Sequence, residues 1–157
     1  MSEYIQHYNS PIGNIKIQAN DDYLESVSFV NLTEQNNPNE ITNLASNQLH
    51  EYFMLKRKLF TIPFRFQGTS FSNSVLQEVV KIKYGRTASY KTIANVLGNE
   101  NKVRAVGNVN SRNQLLIVIP CHRIIGSKGQ LIGYAGGLNR KQWLLEHEGS
   151  ITQQRLF

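Results

Sequence analysis

At 157 residues and 40% hydrophobic content, the chain suffices for one ordinary domain or two small lobes with packed cores. No apolar run approaches the ~20 residues that span a bilayer, and the N-terminus "MSEYIQHYNSPIG" lacks a basic stretch followed by an apolar core. The net charge of +6 is uneven: residues 1–70 carry five Lys/Arg against seven Asp/Glu (5 − 7 = −2), and residues 71–157 carry twelve against four (12 − 4 = +8).

The opening reads as a meander of short strands. "EYIQHYN" alternates, "SPIG" is a turn, "NIKIQA" alternates with Ile15 and Ile17 on one face, and "LESVSFV" repeats the pattern through Leu24, Val27 and Phe29. "NLTEQNNPNE" is a polar surface connection. From Ile41 the residues Leu44, Ala45, Leu49, Tyr52 and Phe53 follow helical spacing into the cationic "LKRK", which suits a helix C-terminus. "LFTIPFRF" is a further extended piece and "QGTSF" a junction, placing one domain at 1–70 and a second at 71–157.

In the second half, Val75, Leu76, Val79 and Val80 lie at helical spacing in a segment that closes on Gly85. In "SYKTIANVLG", Ser89 caps a helix with Ile93, Val96 and Leu97 toward a core, and Gly98 ends it. "KVRAVGNVN" is another short helix with Val103 and Val106 inward, so the pair reads as a helix-turn-helix. Beside the +8 charge of this half, that motif points to a polyanion partner. "GYAGGLNRKQWLLEHEG" supplies a glycine-rich hinge and a last helix through Trp143, Leu144 and Leu145.

The chemistry centres on "IVIPCHRII", which holds the lone cysteine. One cysteine forms no internal disulfide, and the four histidines show no ligand-like spacing with it, so a reducing cytoplasmic setting without metal or organic cofactor is expected. Without a second thiol, dithiol redox chemistry is excluded, leaving Cys121 as a nucleophile acting alone or as a buried apolar side chain. His122 and Arg123 bring positive charge expected to favour a thiolate. On an extended strand Cys121 and His122 would point to opposite faces, so their cooperation needs a turn or a bridging water. "LLEHEG" offers Glu146, His147 and Glu148 as partners for His122, with nothing in the spacing to choose among them. Arg104, beside the small Ala105 and Gly107, could enter a DNA groove. These residues alone would also suit a cysteine hydrolase, or a DNA-binding regulator with a buried cysteine.

"IPCHRIIGSKGQLIGYAGGL" with "RKQWLLEHEG" closely resembles the O6-alkylguanine-DNA alkyltransferases. "GRTASYKTIANVLGNENKVRAVGNVN" is similar to their helix-turn-helix and "SPIGNIKI" to their N-terminal hairpin, so the resemblance spans essentially the whole chain. It implies an α+β protein, with a ribonuclease H-like antiparallel sheet and helix followed by a winged helix-turn-helix lobe. It further implies Cys121 as alkyl acceptor, His122 as base acting through a water, and Glu148 as the carboxylate orienting it. Asn113 ties the helix-turn-helix to the active segment, and Tyr134 with the Ala135 backbone donates near the alkylated oxygen. Tyr90 rotates the target phosphate and donates to a guanine ring nitrogen, and Arg104 replaces the flipped base. Ala105, Gly107 and Arg123 complete the DNA-binding set. The zinc site that some members build from N-terminal Cys and His is not supported, since no cysteine lies there. The implied activity is a single, irreversible transfer of an alkyl group from O6-alkylguanine, and from O4-alkylthymine, in double-stranded DNA to Cys121. A monomer meeting phosphates and the minor groove is expected.

Overall fold

The computed structural model describes residues 2–151, in two compact units divided between Arg65 and Phe66. The first unit is a three-stranded antiparallel sheet in the order β1 (Tyr4–Ser10), β2 (Gly13–Ala19), β3 (Leu24–Phe29), with α1 (Glu40–Phe53) packed on it. Pro11 and Ile12 form the two-residue loop between paired Ser10 and Gly13, where Gly13 takes a φ of 126° and the Ser10 hydroxyl donates to its carbonyl. Alternation places Ile15, Ile17 and Ala19 wholly inside, against Ala45, Leu49 and Tyr52 of α1. Leu44, expected on the same helical stripe, is exposed.

Helix α1 opens on a reciprocal cap: the Asn39 side chain accepts from the Thr42 N–H, and the Thr42 hydroxyl accepts from the Asn39 N–H. It closes with the Lys56 N–H on the Glu51 carbonyl and the Leu55 N–H on the Tyr52 carbonyl. That closure puts Leu55 at a φ of 62°, a position glycine fills at lower cost. "LFTIPFRF" returns extended, with the Leu24 N–H donating to the Pro63 carbonyl and the Gln48 amide bonding both the N–H and the hydroxyl of Thr61.

The second unit is mainly helical: α2 (Ser70–Val80), α3 (Tyr90–Val96), α4 (Val103–Ser111) and α5 (Leu138–His147). Two-residue strands β4 (Ala88–Ser89) and β5 (Ile124–Ile125) pair in parallel, and 3₁₀ turns form at Glu100–Lys102 and Cys121–Arg123. Helix α2 stops five residues before Gly85: the Lys81 and Ile82 N–H groups tighten onto the Glu78 and Val79 carbonyls, and the Ile82 carbonyl beyond accepts from the Arg123 side chain. Ser89 caps α3 as expected, accepting from the Thr92 N–H. Gly98, at a φ of 85°, ends it, and α3 packs on α4. Val106, Ile93 and Ala94 are buried, but Val96 and Val103, expected inward, are exposed. Val96 lies off the stripe of Tyr90, Ile93 and Ala94, and Val103 sits at the projecting first residue of α4.

Candidate active site

The sulfur is positioned by the segment after α4. Asn113 strings it together: its Oδ1 accepts from the Leu115 N–H at 2.9 Å, while Nδ2 donates to the Ile119 carbonyl at 2.9 Å and to Cys121 Sγ at 3.1 Å. The tight loop between sets Ile117 at a φ of 72°, a left-handed conformation costly for a β-branched residue and held here by full burial. Pro120 leads into the turn, and Cys121 is 0% exposed. The expected strand is therefore replaced at the sulfur by a 3₁₀ turn, which removes the opposite-faces problem for the Cys121–His122 pair.

His122, also fully buried, meets Glu148 through Nε2 at 2.8 Å. Among the three carboxylate and imidazole groups at the end of α5, geometry thus selects Glu148, which caps that helix. Arg123 binds the same carboxylate twice, Nε to Oε1 at 2.8 Å and Nη2 to Oε2 at 3.0 Å, and Nη1 donates to the Ile82 carbonyl at 2.7 Å. Burial alone would raise the Glu148 pKa, but His122 and Arg123 outweigh it and hold the carboxyl at about 2. An ionised Glu148 only accepts, so His122 carries its proton on Nε2. Burial lowers the His122 pKa, more than Glu148 raises it, and the ring is neutral. Its Nδ1 is then a lone-pair acceptor, buried and without a hydrogen-bond partner among the described residues.

Two expectations need correction. Arg123, expected among the DNA-binding residues, is instead 6% exposed, with its donors on Glu148 and the Ile82 carbonyl. Nor do His122 and Arg123 hold the sulfur as a thiolate through charge, because the ring is neutral and the guanidinium is matched by Glu148. Burial pushes the Cys121 thiol up to about 11, against the opposing pull of the Asn113 hydrogen bond and the Lys141 charge. A sulfur so enclosed ionises by handing its proton to a nearby base rather than to bulk water.

Tyr134 lies edge-on to His122, ring centroids 6.4 Å apart, with a buried hydroxyl that has no hydrogen-bond partner among the described residues. It follows Gly133, whose φ of 61° turns the chain, and precedes Ala135, which is exposed. Tyr90 opens α3 with its hydroxyl turned inward, donating to the Ile132 carbonyl at 2.7 Å. Gly107 faces the Tyr90 ring, where an added Cβ would lie 3.8 Å away, and Ala105 is half-buried. Arg104 projects from α4 into solvent.

Two residues escaped the sequence reading. Lys141 is fully buried, donating to the carbonyls of Ile132 at 2.8 Å and Gly133 at 3.1 Å, with the Tyr90 hydroxyl at 3.5 Å. Burial lowers its pKa to about 8, although a charged Cys121 would raise it. Asn110, 1% exposed, donates from Nδ2 to the Cys121 carbonyl at 3.1 Å. Spacing carried a signal for both: Lys141 sits three and four residues before buried Leu144 and Leu145, and Asn110 four after buried Val106.

Both units match models of one protein family. Residues 70–150 match the 6-O-methylguanine DNA methyltransferase DNA-binding domain, and residues 4–66 the ribonuclease-like domain of the same family. A methylated-DNA–protein-cysteine methyltransferase of Methanosarcina acetivorans is 38% identical over 154 residues, covering 94% of this chain and 99% of its own. One from Mycobacterium leprae is 41% identical over 148 residues, covering 89% and 88%. The crystal structure of Mycobacterium tuberculosis O6-methylguanine methyltransferase superposes with a TM-score of 0.85 at 34% identity, covering 99% of both chains. The Mycobacterium tuberculosis protein in complex with DNA gives 0.84 at 35%, covering 97% of this chain and 96% of that one.

Proposed function

The chain belongs to the 6-O-methylguanine DNA methyltransferase family, and from that premise we propose that Cys121 takes the alkyl group from O6-alkylguanine, and from O4-alkylthymine, in duplex DNA. Its activity is methyl transfer from methylated DNA to a protein cysteine, a DNA-repair reaction. The observation that carries the residue assignment is the buried Cys121 held by Asn113, with the His122–Glu148–Arg123 chain next to it in sequence and His122 Nδ1 an acceptor without a hydrogen-bond partner among the described residues.

The alkylated oxygen lies within the base stack, so the nucleotide must be extruded, at a cost of roughly a few kcal/mol. Arg104, exposed on α4, fills the space left behind. Phosphate and minor-groove contacts from this basic half hold the duplex without reading its sequence. The Cys121 proton passes through a water to His122 Nδ1, and Glu148 steadies the imidazolium while Arg123 keeps Glu148 ionised. Asn113 Nδ2 stabilises the sulfur charge as it forms. Sulfur attacks the alkyl carbon, the carbon–oxygen bond breaks, and the electron pair returns to guanine. Tyr134 donates toward the departing oxygen, Tyr90 exchanges the Ile132 carbonyl for a ring nitrogen, and the thiol proton ends on guanine N1.

The product is a thioether. It has no carbonyl for water to attack, its thiolate is a poor leaving group from an alkyl carbon, and the chain holds no second thiol. Each molecule therefore acts once. Intact-protein mass spectrometry after incubation with an O6-methylguanine duplex tests this. One methylene mass on Cys121, capped at one per chain and absent in Cys121→Ser, is expected. Lesions cleared in excess of protein, or an unmodified Cys121 after clearance, would overturn it.

A further inference from the structure

The end of α1 carries side chains that neither the fold nor alkyl transfer uses. Met54, Leu55 and Leu59 are 54%, 67% and 75% exposed, and Lys56 and Lys58 between them are exposed as well. The loop that presents them is tied down by polar contacts. The Arg57 guanidinium donates from Nε to Glu51 Oε1 at 3.0 Å and from Nη1 to the Leu59 carbonyl at 2.8 Å, while the Lys56 N–H donates to the Glu51 carbonyl. Leu55 sits at a φ of 62°, a backbone conformation costly for leucine, and its exposed side chain recovers little of that cost through burial. A strained apolar residue held out in water, flanked by two more apolar side chains, has the character of an interaction surface.

Charge selects the occupant. Residues 1–53 carry one Lys against seven Asp/Glu (1 − 7 = −6), so three of the five cations of the first unit fall at residues 56–58. Three consecutive cations among three exposed apolar side chains complement a segment in which carboxylates are interleaved with large apolar residues. DNA supplies negative charge but nothing to cover Met54, Leu55 and Leu59, and the acidic remainder of the unit repels it. The loop also lies outside residues 70–150, which match the DNA-binding domain. A second copy of the chain offers few free carboxylates from its first unit. Four of the seven there are already engaged: Glu3 by Gln18, Asp21 by Tyr4, Glu34 by Lys16 and Glu51 by Arg57.

We propose that the loop at residues 54–59 is a docking site for a partner protein, which it holds through an acidic segment bearing large apolar side chains. Met54, Leu55 and Leu59 take the apolar side chains and Lys56 meets the carboxylates. The proposal goes beyond the alkyl-transfer reading and does not depend on it.

The test measures fluorescence anisotropy of two labelled nonapeptides of equal charge, EDLDFDLED and EDSDSDSED, at low salt. The native protein should bind the first saturably, one peptide per chain, with a Kd below about 100 μM, and the second at least about tenfold more weakly. Leu55→Gly and Leu59→Ser should each weaken the first peptide by at least about fivefold, the loss expected from uncovering one leucine, and Lys56→Glu by at least about tenfold. Leu55→Gly also relieves the backbone, so its melting temperature and its single-turnover repair rate should not fall, which separates lost docking from lost folding. No saturable binding by the native protein, equal binding of the two peptides, or native affinity in Leu55→Gly overturns the proposal. So does self-association that Leu55→Gly abolishes, which would make the occupant a second copy, or a drop in affinity for undamaged duplex in the same variant, which would make it DNA.

Discussion

Replacing Glu148 by glutamine removes the charge on which the buried relay depends. The wild-type carboxylate accepts from His122 Nε2 and twice from Arg123, and its side chain is wholly inside. Glutamine offers one oxygen and turns an N–H₂ toward one of those donors, leaving the Arg123 guanidinium without its counter-charge. The fall in pKa from the ordinary 4.5 to about 2 gives the magnitude: at ~1.36 kcal/mol per tenfold it amounts to about 3 kcal/mol. Loss of one partner of a buried pair typically costs about 3–5 kcal/mol, in agreement. Because the folded pKa is depressed, this stability is present above about 4.5 and lost as pH falls toward about 2. Urea unfolding of both proteins between pH 7 and pH 2 reads it directly. The wild type should exceed Glu148→Gln by about 3 kcal/mol at pH 7, and the gap should shrink to a fraction of a kcal/mol by about pH 2. A gap below about 1 kcal/mol at pH 7, or one independent of pH, refutes the assignment of Glu148 as the ionised hub.

Lys141 behaves in the opposite sense. Its folded pKa of about 8 lies below the ordinary 10.5, so the buried charge opposes folding and is relieved on deprotonation. Relative to Lys141→Met, the native protein should gain up to about 3 kcal/mol between pH about 8 and about 10.5, measured by chemical denaturation. Leu55→Gly should stabilise by up to about 1 kcal/mol, since an exposed leucine at a φ of 62° closes α1; a lower melting temperature would contradict this. Arg104→Ala should slow repair of duplex DNA more than reaction with the free alkylated base, and equal slowing of both would remove it as the residue that fills the stack.

Much of the fold was legible because its signals are local. Alternation fixed β1, β2 and β3, the Pro-Ile loop before Gly13 fixed their hairpin, and Ser89 and Gly98 fixed the limits of α3. What failed was set by partners distant in the chain. Helix α2 ends at Val80, not Gly85, and the Ile82 carbonyl past its end is taken by Arg123, 41 residues later. Val96 and Val103 are apolar, but the packing of α3 and α4 leaves them at 60% and 37% exposure.

The same division runs through the site. Sequence by itself singled out Cys121 as the candidate nucleophile, since a lone cysteine beside Pro120 and His122 admits no internal disulfide and carries the family resemblance. Tertiary structure alone decided which carboxylate serves His122, that Arg123 faces inward, and that the sulfur's proton needs a base. It alone brought Lys141 and Asn110 to the site. Residue type fixes what a group can donate, accept or attack, whereas burial and the placement of charges from remote segments fix its protonation and its partner, and these exist only once the chain has closed on itself.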